Sequence, residues 1–198
     1  MKGTLFVLSG PSGTGKGTVC NDLLKLPCDL NLSISATTRD KRVGEVDGET
    51  YHYVSKDTFE KMIADNEMLE HAVYNGNYYG TPKMAVEKLL NEGKDVLLEI
   101  EPQGALQVKK LIPEAVLIFL IPPSMRELKR RLITRGRESE EEINERIATA
   151  KWEMQQADKY TTLIINDNLE SCVEEVLEYI NHKRGEKIKL QSLINENI

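Results

Sequence analysis

The chain has 198 residues, a length that favours one domain with a substantial core and room for an inserted lobe. Hydrophobic residues make up 40% and charged residues 29%, as in an ordinary soluble globular protein. The formal net charge of −6 argues against a general nucleic-acid binder, whose affinity comes from neutralising phosphates, though a few placed cations can still build a local phosphate site.

The run TLFVLS (4–9) is short, apolar from Leu5 to Leu8, and leads straight into the glycine loop, so it is expected to be a core strand rather than a signal peptide. No stretch is apolar for long enough to span a bilayer. Cys20, Cys28 and Cys172 are odd in number and fit no metal spacing, which leads us to expect reduced, packed thiols in a cytoplasmic protein.

GPSGTGKGT (10–18) sits between that strand and a helix expected at 14–26, the context in which a glycine loop binds phosphate. Gly10, Gly13 and Gly15 let the backbone turn its N–H groups inward, and the helix adds the positive end of its dipole. Pro11, Ser12 and Thr14 complete the loop, and Lys16 can reach the β- and γ-phosphates of a nucleoside triphosphate. Gly17 stands where the usual pattern has Ser or Thr, and the hydroxyl comes one residue later, at Thr18. A metal would then lean on phosphate oxygens, water and a carboxylate elsewhere. That departure points to a small-molecule kinase rather than a GTPase switch.

Residues 35–81 interrupt the strand–helix alternation and are expected to form an insertion of small antiparallel strands with a helical piece near 57–65. Arg39 and Arg42 could grip a phosphate dianion through two guanidinium forks, or simply belong to a solvated loop. Tyr51, Tyr78 and Tyr79 offer phenols beside Gly76 and Gly80, although strand tyrosines more often pack. Glu70 is one acid among many on these grounds alone.

Alternation then resumes. Helices are expected at 82–92, 103–110, 124–134, 140–158 and 169–183, and strands at 95–100, 115–121 and 162–166. Capping-box spacing marks two helix starts, Ser124 with Glu127 and Ser139 with Glu142. The strands look buried on both faces, so the prediction is an α/β fold with a parallel sheet flanked by helices. RELKRRLITRGRE (126–138) carries six basic residues, with Arg131 and Arg135 on one helical face and Arg146 on the next helix. Such cations can stabilise a moving phosphoryl group or pair with the acidic run ESEEE, the reading favoured for Arg126, Lys129 and Arg130. Glu99, mid-strand, is expected to face solvent or a helix end. Asn166 in IIND could touch a base or open a helix. His52, His71 and His182 have no metal-ligand spacing, Trp152 is expected to pack, and residues 184–198 read as a loose helical tail.

GPSGTGKGT, SATTRDKRVGEVDGETY, LEHAVYNGNYYGT, LLEIEPQGA, PPSMRELKRRLITRGRESEEEI and IIND together resemble the guanylate kinases, over residues 10 to about 167. The resemblance implies a P-loop parallel-sheet core (1–34, 82–123, 159–183), a small mixed α+β GMP-binding insertion (35–81) and a helical lid (124–158). It implies Mg²⁺-dependent phosphoryl transfer from ATP to GMP in purine metabolism, with no nucleic-acid or membrane partner. Gly10 to Thr18, Arg135 and Asn166 would meet ATP. Ser35, Arg39, Arg42, Tyr51 and Tyr79 would surround the GMP phosphate, and Glu70, Ser35 and Thr81 the guanine. Lys16, Arg39, Arg131, Arg135 and Arg146 would be catalytic. Glu99 and Glu101 stand where many members have Asp; Glu101 would join the GMP site, touching the guanine or the waters of Mg²⁺, and with Thr18 is the expected Mg²⁺ partner, directly or through water. Two rivals remain: a scaffold domain of the same type that binds phosphorylated peptides, and a kinase whose acceptor is AMP or CMP.

Overall fold

The computed structural model describes residues 1–74, 76–134 and 139–196, apart from the side chains of residues 190–196. In chain order its elements are β1 (Leu5–Ser9), α1 (Lys16–Leu23), β2 (Leu30–Leu32), β3 (Ala36–Thr37), β4 (His52–Tyr53), α2 (Lys56–Ala64), β5 (Met68–Tyr74) and β6 (Asn77–Pro82). There follow α3 (Lys83–Asn91), β7 (Asp95–Glu99), α4 (Pro102–Leu111), β8 (Val116–Ile121), α5 (Met125–Thr134), α6 (Glu140–Met154), β9 (Thr162–Ile165) and α7 (Leu169–Glu196).

Five strands form a parallel sheet in the order β2-β7-β1-β8-β9. Side chains alternate along β1, so its apolar run Leu5–Leu8 fills two cores at once. Phe6 and Leu8 pack with Val19 and Leu23 of α1 and Val173, Val176 and Ile180 of α7. Leu5 and Val7 pack on the opposite face with Val86 and Leu90 of α3 and Ala105 and Val108 of α4. Each large side chain buried in this way contributes about 1.5–3 kcal/mol. The α/β fold with helices on both faces of a parallel sheet is as expected from the sequence.

A second sheet, β4-β3-β6-β5, stands apart from the first, with Phe59 and Met62 of α2 packed among Ala36 and Met68. Its β3–β4 pairing is parallel, so this sheet is mixed rather than wholly antiparallel. Tyr78 stacks on Phe59, ring centroids 5.2 Å apart, and donates its hydroxyl hydrogen to Glu60, which assigns it to packing.

Local signals explain several element ends. Ser139 and Glu142 form the reciprocal capping box that starts α6. At α5 only half a box forms. Ser124 Oγ accepts the Glu127 N–H at 3.1 Å, while the Glu127 carboxylate turns to Arg130 and Arg131. The expected loose tail instead continues α7 as one helix to Glu196. Arg184 and Lys187 anchor it: Arg184 Nε donates to Asp95 Oδ2 at 2.6 Å, and Lys187 Nζ to the Lys2 carbonyl at 2.6 Å.

Candidate active site

The glycine loop leaves the C-terminal end of β1, the end of a parallel sheet at which ligands bind. Gly10 cannot carry a side chain: its φ is 149°, and a Cβ there would stand 2.2 Å from the Leu120 carbonyl oxygen of β8. Gly15, at φ 94°, turns the chain into α1, and a Cβ on it would meet Asn166 Nδ2 at 2.7 Å. That amide donates to the Thr14 carbonyl at 2.6 Å, so Asn166, buried at the end of β9, holds the loop from the far side of the sheet. Arg131 Nη2 reaches the Asn166 carbonyl at 3.0 Å, which carries the tie on to α5. The helix-entry role goes to Asn168, whose Oδ1 accepts the Ser171 N–H.

Lys16 is buried. Its Nζ donates to the Gly10 carbonyl at 2.7 Å and to Glu101 Oε2 at 2.9 Å. Burial pulls against its charge, but Glu101, Glu99 and Glu153 together hold the ammonium above its usual range. Glu99 does not face solvent or a helix end, as its mid-strand position suggested. It lines the cleft, and burial raises its carboxyl above the usual range despite the opposing pull of Lys16. A Cβ on Gly17 would meet only Glu99 Oε2, at 4.0 Å, so the missing hydroxyl of the loop faces a carboxylate.

A cleft of about 430 Å³ opens between the two sheets. Ser35, Arg39, Arg42, Tyr51, Glu70 and Tyr79 line one wall, and Ser12, Glu99, Glu101 and Arg146 the other. A separate cavity of about 350 Å³ lies over the outer side of the loop, lined by Gly13, Gly15, Thr18, Arg131, Thr134 and Asn166. Thr18 and Glu101 therefore belong to different cavities. Arg135 lies outside the described residues.

Two features of the cleft had no sequence signal. Glu45 grips Arg39 with both oxygens, at 2.9 and 2.8 Å, and also accepts the Arg42 N–H and the Tyr53 hydroxyl, each at 2.8 Å. Arg39 and these donors hold its carboxyl down at about 2. The Arg39 guanidinium lies 5.4 Å from the Tyr51 ring centroid, and burial pushes the Tyr51 phenol up to about 12. Glu70 is buried at the start of β5 and accepts the Thr81 hydroxyl at 2.7 Å. Burial raises Glu70 to about 7, against the lowering effect of Thr81. Tyr74, whose hydroxyl stands 3.5 Å from Ser12 Oγ, also joins the cleft wall unanticipated.

The glycine-loop residue Ser12 thus shares one cleft with Arg39, Arg42 and the buried acid Glu70. The guanylate kinase family model matches residues 2–183. The chain belongs to the guanylate kinase family. A guanylate kinase of Clostridium perfringens strain 13 is 52% identical over 175 residues, 88% of this chain and 81% of that protein. One from Oceanobacillus iheyensis is 50% identical over 96% of this chain and 93% of its own length. The crystal structure of guanylate kinase from Anaplasma phagocytophilum superposes with a TM-score of 0.76 at 32% identity, covering 92% of this chain and 86% of that one. Glu99 and Glu101 are the carboxylates at the end of β7 beside the loop, and no described group of three His, Cys, Asp or Glu side chains is placed to hold a metal by itself.

Proposed function

We propose that the glycine loop holds ATP, that the cleft holds GMP, and that the two meet at Lys16 and Arg146. The chain is an ATP-dependent kinase that phosphorylates GMP to GDP. The observation that carries the site assignment is the buried Glu70, paired with Thr81, in the same cleft as the Arg39–Arg42 anion site and the loop residue Ser12. Guanine presents N1–H and the 2-amino group as donors, and an ionised Glu70 would accept both. Adenine lacks that pair, so it would leave a buried acid unmatched, a penalty of about 10⁴-fold or more in discrimination.

Transfer is in line. An oxygen of the GMP phosphate attacks the γ-phosphorus, the bond to the ADP oxygen breaks, and no covalent enzyme intermediate forms. The acceptor is already an anion, so the task of the side chains is neutralisation and alignment. Lys16 meets the β- and γ-phosphates. Arg39 and Arg42, with Ser35, Tyr51 and Tyr79, fix the acceptor phosphate, with Glu45 behind the guanidinium. Arg131 and Arg146 supply charge over the transferring group, a task the family resemblance also gives to Arg135, and Asn166 lines the outer cavity assigned to the adenosine. Glu99 and Glu101 would hold Mg²⁺, directly or through water, and the ion would supply charge to offset that of the phosphates; no described cluster of three acids, histidines or cysteines forms a cage of its own.

In this reading residues 124–158 are a lid over the site, and residues 35–81 are the GMP-binding lobe. Three buried free thiols fit a cytoplasmic setting. The test is ADP formation from ATP with a panel of nucleoside monophosphates. GMP should be strongly preferred. Equal turnover with AMP would overturn the base-pocket assignment.

A further inference from the structure

Helix α6 holds one loop residue twice. Arg146 Nη2 donates to Ser12 Oγ at 2.6 Å, and Glu153 Oε2 accepts the Ser12 backbone N–H at 3.3 Å. The two residues are seven apart, two helical turns, so they share a face. Glu153 is only 5% exposed, and the proposed mechanism gives it no task. It is an acid on the N–H of a loop built to bind anions.

Its surroundings make that position electrostatically decisive. Lys16 from α1 and Arg146 from α6 favour its charge, whereas Glu101, at the start of α4, opposes it. Glu99 at the end of β7 faces the same lysine, and the Tyr160 hydroxyl, bonded to Ser9 Oγ at 3.1 Å, lies within the field of Glu153. Three carboxylates therefore share the field of one buried ammonium group.

We propose that the Glu153 carboxylate is an internal stand-in for a phosphate oxygen: it occupies the Ser12 N–H until the triphosphate arrives and is displaced when it does. The inference rests on the assignment of ATP to the loop. Phosphate oxygens and the carboxylate compete for the same donor and the same cations. Displacement breaks one of the two links between α6 and the loop and leaves the Arg146 link, so α6 can pivot about Ser12. Nucleotide binding is thereby coupled to the placement of Arg146. Glu153 is in this sense a positioning residue.

Burial, with Glu101 adding, raises the Glu153 carboxyl to about 7 in the nucleotide-free protein, and nearby phosphates raise it further. Binding should therefore take up a proton near neutral pH.

The test is calorimetric titration with MgATP, without acceptor, of the wild type, Glu153→Gln and Glu153→Ala, with melting temperatures to establish folding. Glu153→Gln keeps the shape and removes the charge. It should bind MgATP roughly tenfold more tightly, the scale of one displaced charge-assisted hydrogen bond, with GMP affinity unchanged. A purely structural role predicts the opposite sign. In buffers of different ionisation enthalpy at pH 7.5, the wild type should show proton uptake that Glu153→Gln lacks. Unchanged or weaker MgATP binding by folded variants would overturn the inference. So would wild-type binding without proton uptake, a measurement that needs no variant. Absence of MgATP binding by the wild type would instead overturn the assignment of ATP to the loop, and the inference with it.

Discussion

Glu70 and Gly104 are in contact by necessity: a Cβ built on Gly104 would stand 2.0 Å from Glu70 Oε2. Gly104 lies in the first turn of α4, so the helix approaches the buried acid closely enough to fix where its carboxylate can be. Gly104→Ala should therefore push Glu70 off Thr81 and out of line with the base. The expected result is a rise of tenfold or more in KM for GMP, on the order of one lost charge-assisted hydrogen bond, with little change in KM for ATP. Stability should fall by about 1–3 kcal/mol from overpacking. Steady-state kinetics and denaturant unfolding measure the two effects.

Glu70 should also imprint a pH dependence. Its carboxyl is raised from the ordinary 4.5 to about 7. Between those values the folded protein holds a proton that the unfolded chain has lost, so the contribution to stability is full below about 4.5 and is lost as pH rises through about 7. The whole effect is on the order of 3 kcal/mol. Glu70→Gln should flatten the decline in unfolding free energy over that window. Binding runs the other way: the ionised acid accepts the guanine donors, so affinity should increase with pH through about 7. Competitive inhibition by guanosine, which has no phosphate of its own to titrate, isolates this effect, and a flat profile would remove Glu70 from the base pocket.

Glu45 should matter without touching substrate. It fixes the Arg39 guanidinium by a two-pronged contact and orders the Arg42 backbone. Glu45→Ala should raise KM for GMP by about tenfold or more, since interactions of this kind contribute about 1.5–3 kcal/mol. KM for ATP should stay within about twofold, because Glu45 lies in the 35–81 lobe. An equal loss for both nucleotides would indicate a general folding defect instead.

Gly17 tests the unusual letter in the loop. It lies in α1 at an ordinary helical φ, and only Glu99 Oε2, at 4.0 Å, would meet a Cβ there. Gly17→Ala should therefore stabilise the nucleotide-free protein by about 0.4–1 kcal/mol, by reducing the freedom of the unfolded chain. Thermal and denaturant unfolding check this, and a destabilised variant would mean that the backbone there needs glycine.

The strands β1, β7 and β8 were legible because each is a short apolar run buried on both faces, and the loop because its glycines fall in register with Lys16; β9 is also an apolar run, but it is an edge strand with Leu163 and Ile165 half exposed, not buried on both faces as expected. β2 was not, since Leu30–Leu32 is an edge strand with Leu32 exposed and has no alternation to read. β3 and β4 have two residues each and leave no period. The site divided in the same way. Residues carried by a motif, such as Lys16, Arg39 and Glu70, could be named in advance. Glu153 could not, because its partner Ser12 lies 141 residues away and nothing local marks the acid as buried. Asn166 has a further task that no local pattern marks: its amide donates to the Thr14 carbonyl. Glu99, the last residue of β7, lines the cleft instead of facing solvent or a helix end, and an acid in an apolar run gives no hint of which side chains surround its carboxylate.

The last helix has a bearing on how the polypeptide is made. Val173, Val176 and Ile180 of α7 cover the face of the central strand that Phe6 and Leu8 present. A nascent chain that has emerged only as far as β9 has every strand of the parallel sheet but a bare greasy flank on it. The strand β1 thus waits for α7, made well after it, before that face is sheltered, and a chain truncated ahead of residue 169 should be a substrate for chaperones and proteases rather than a smaller working enzyme.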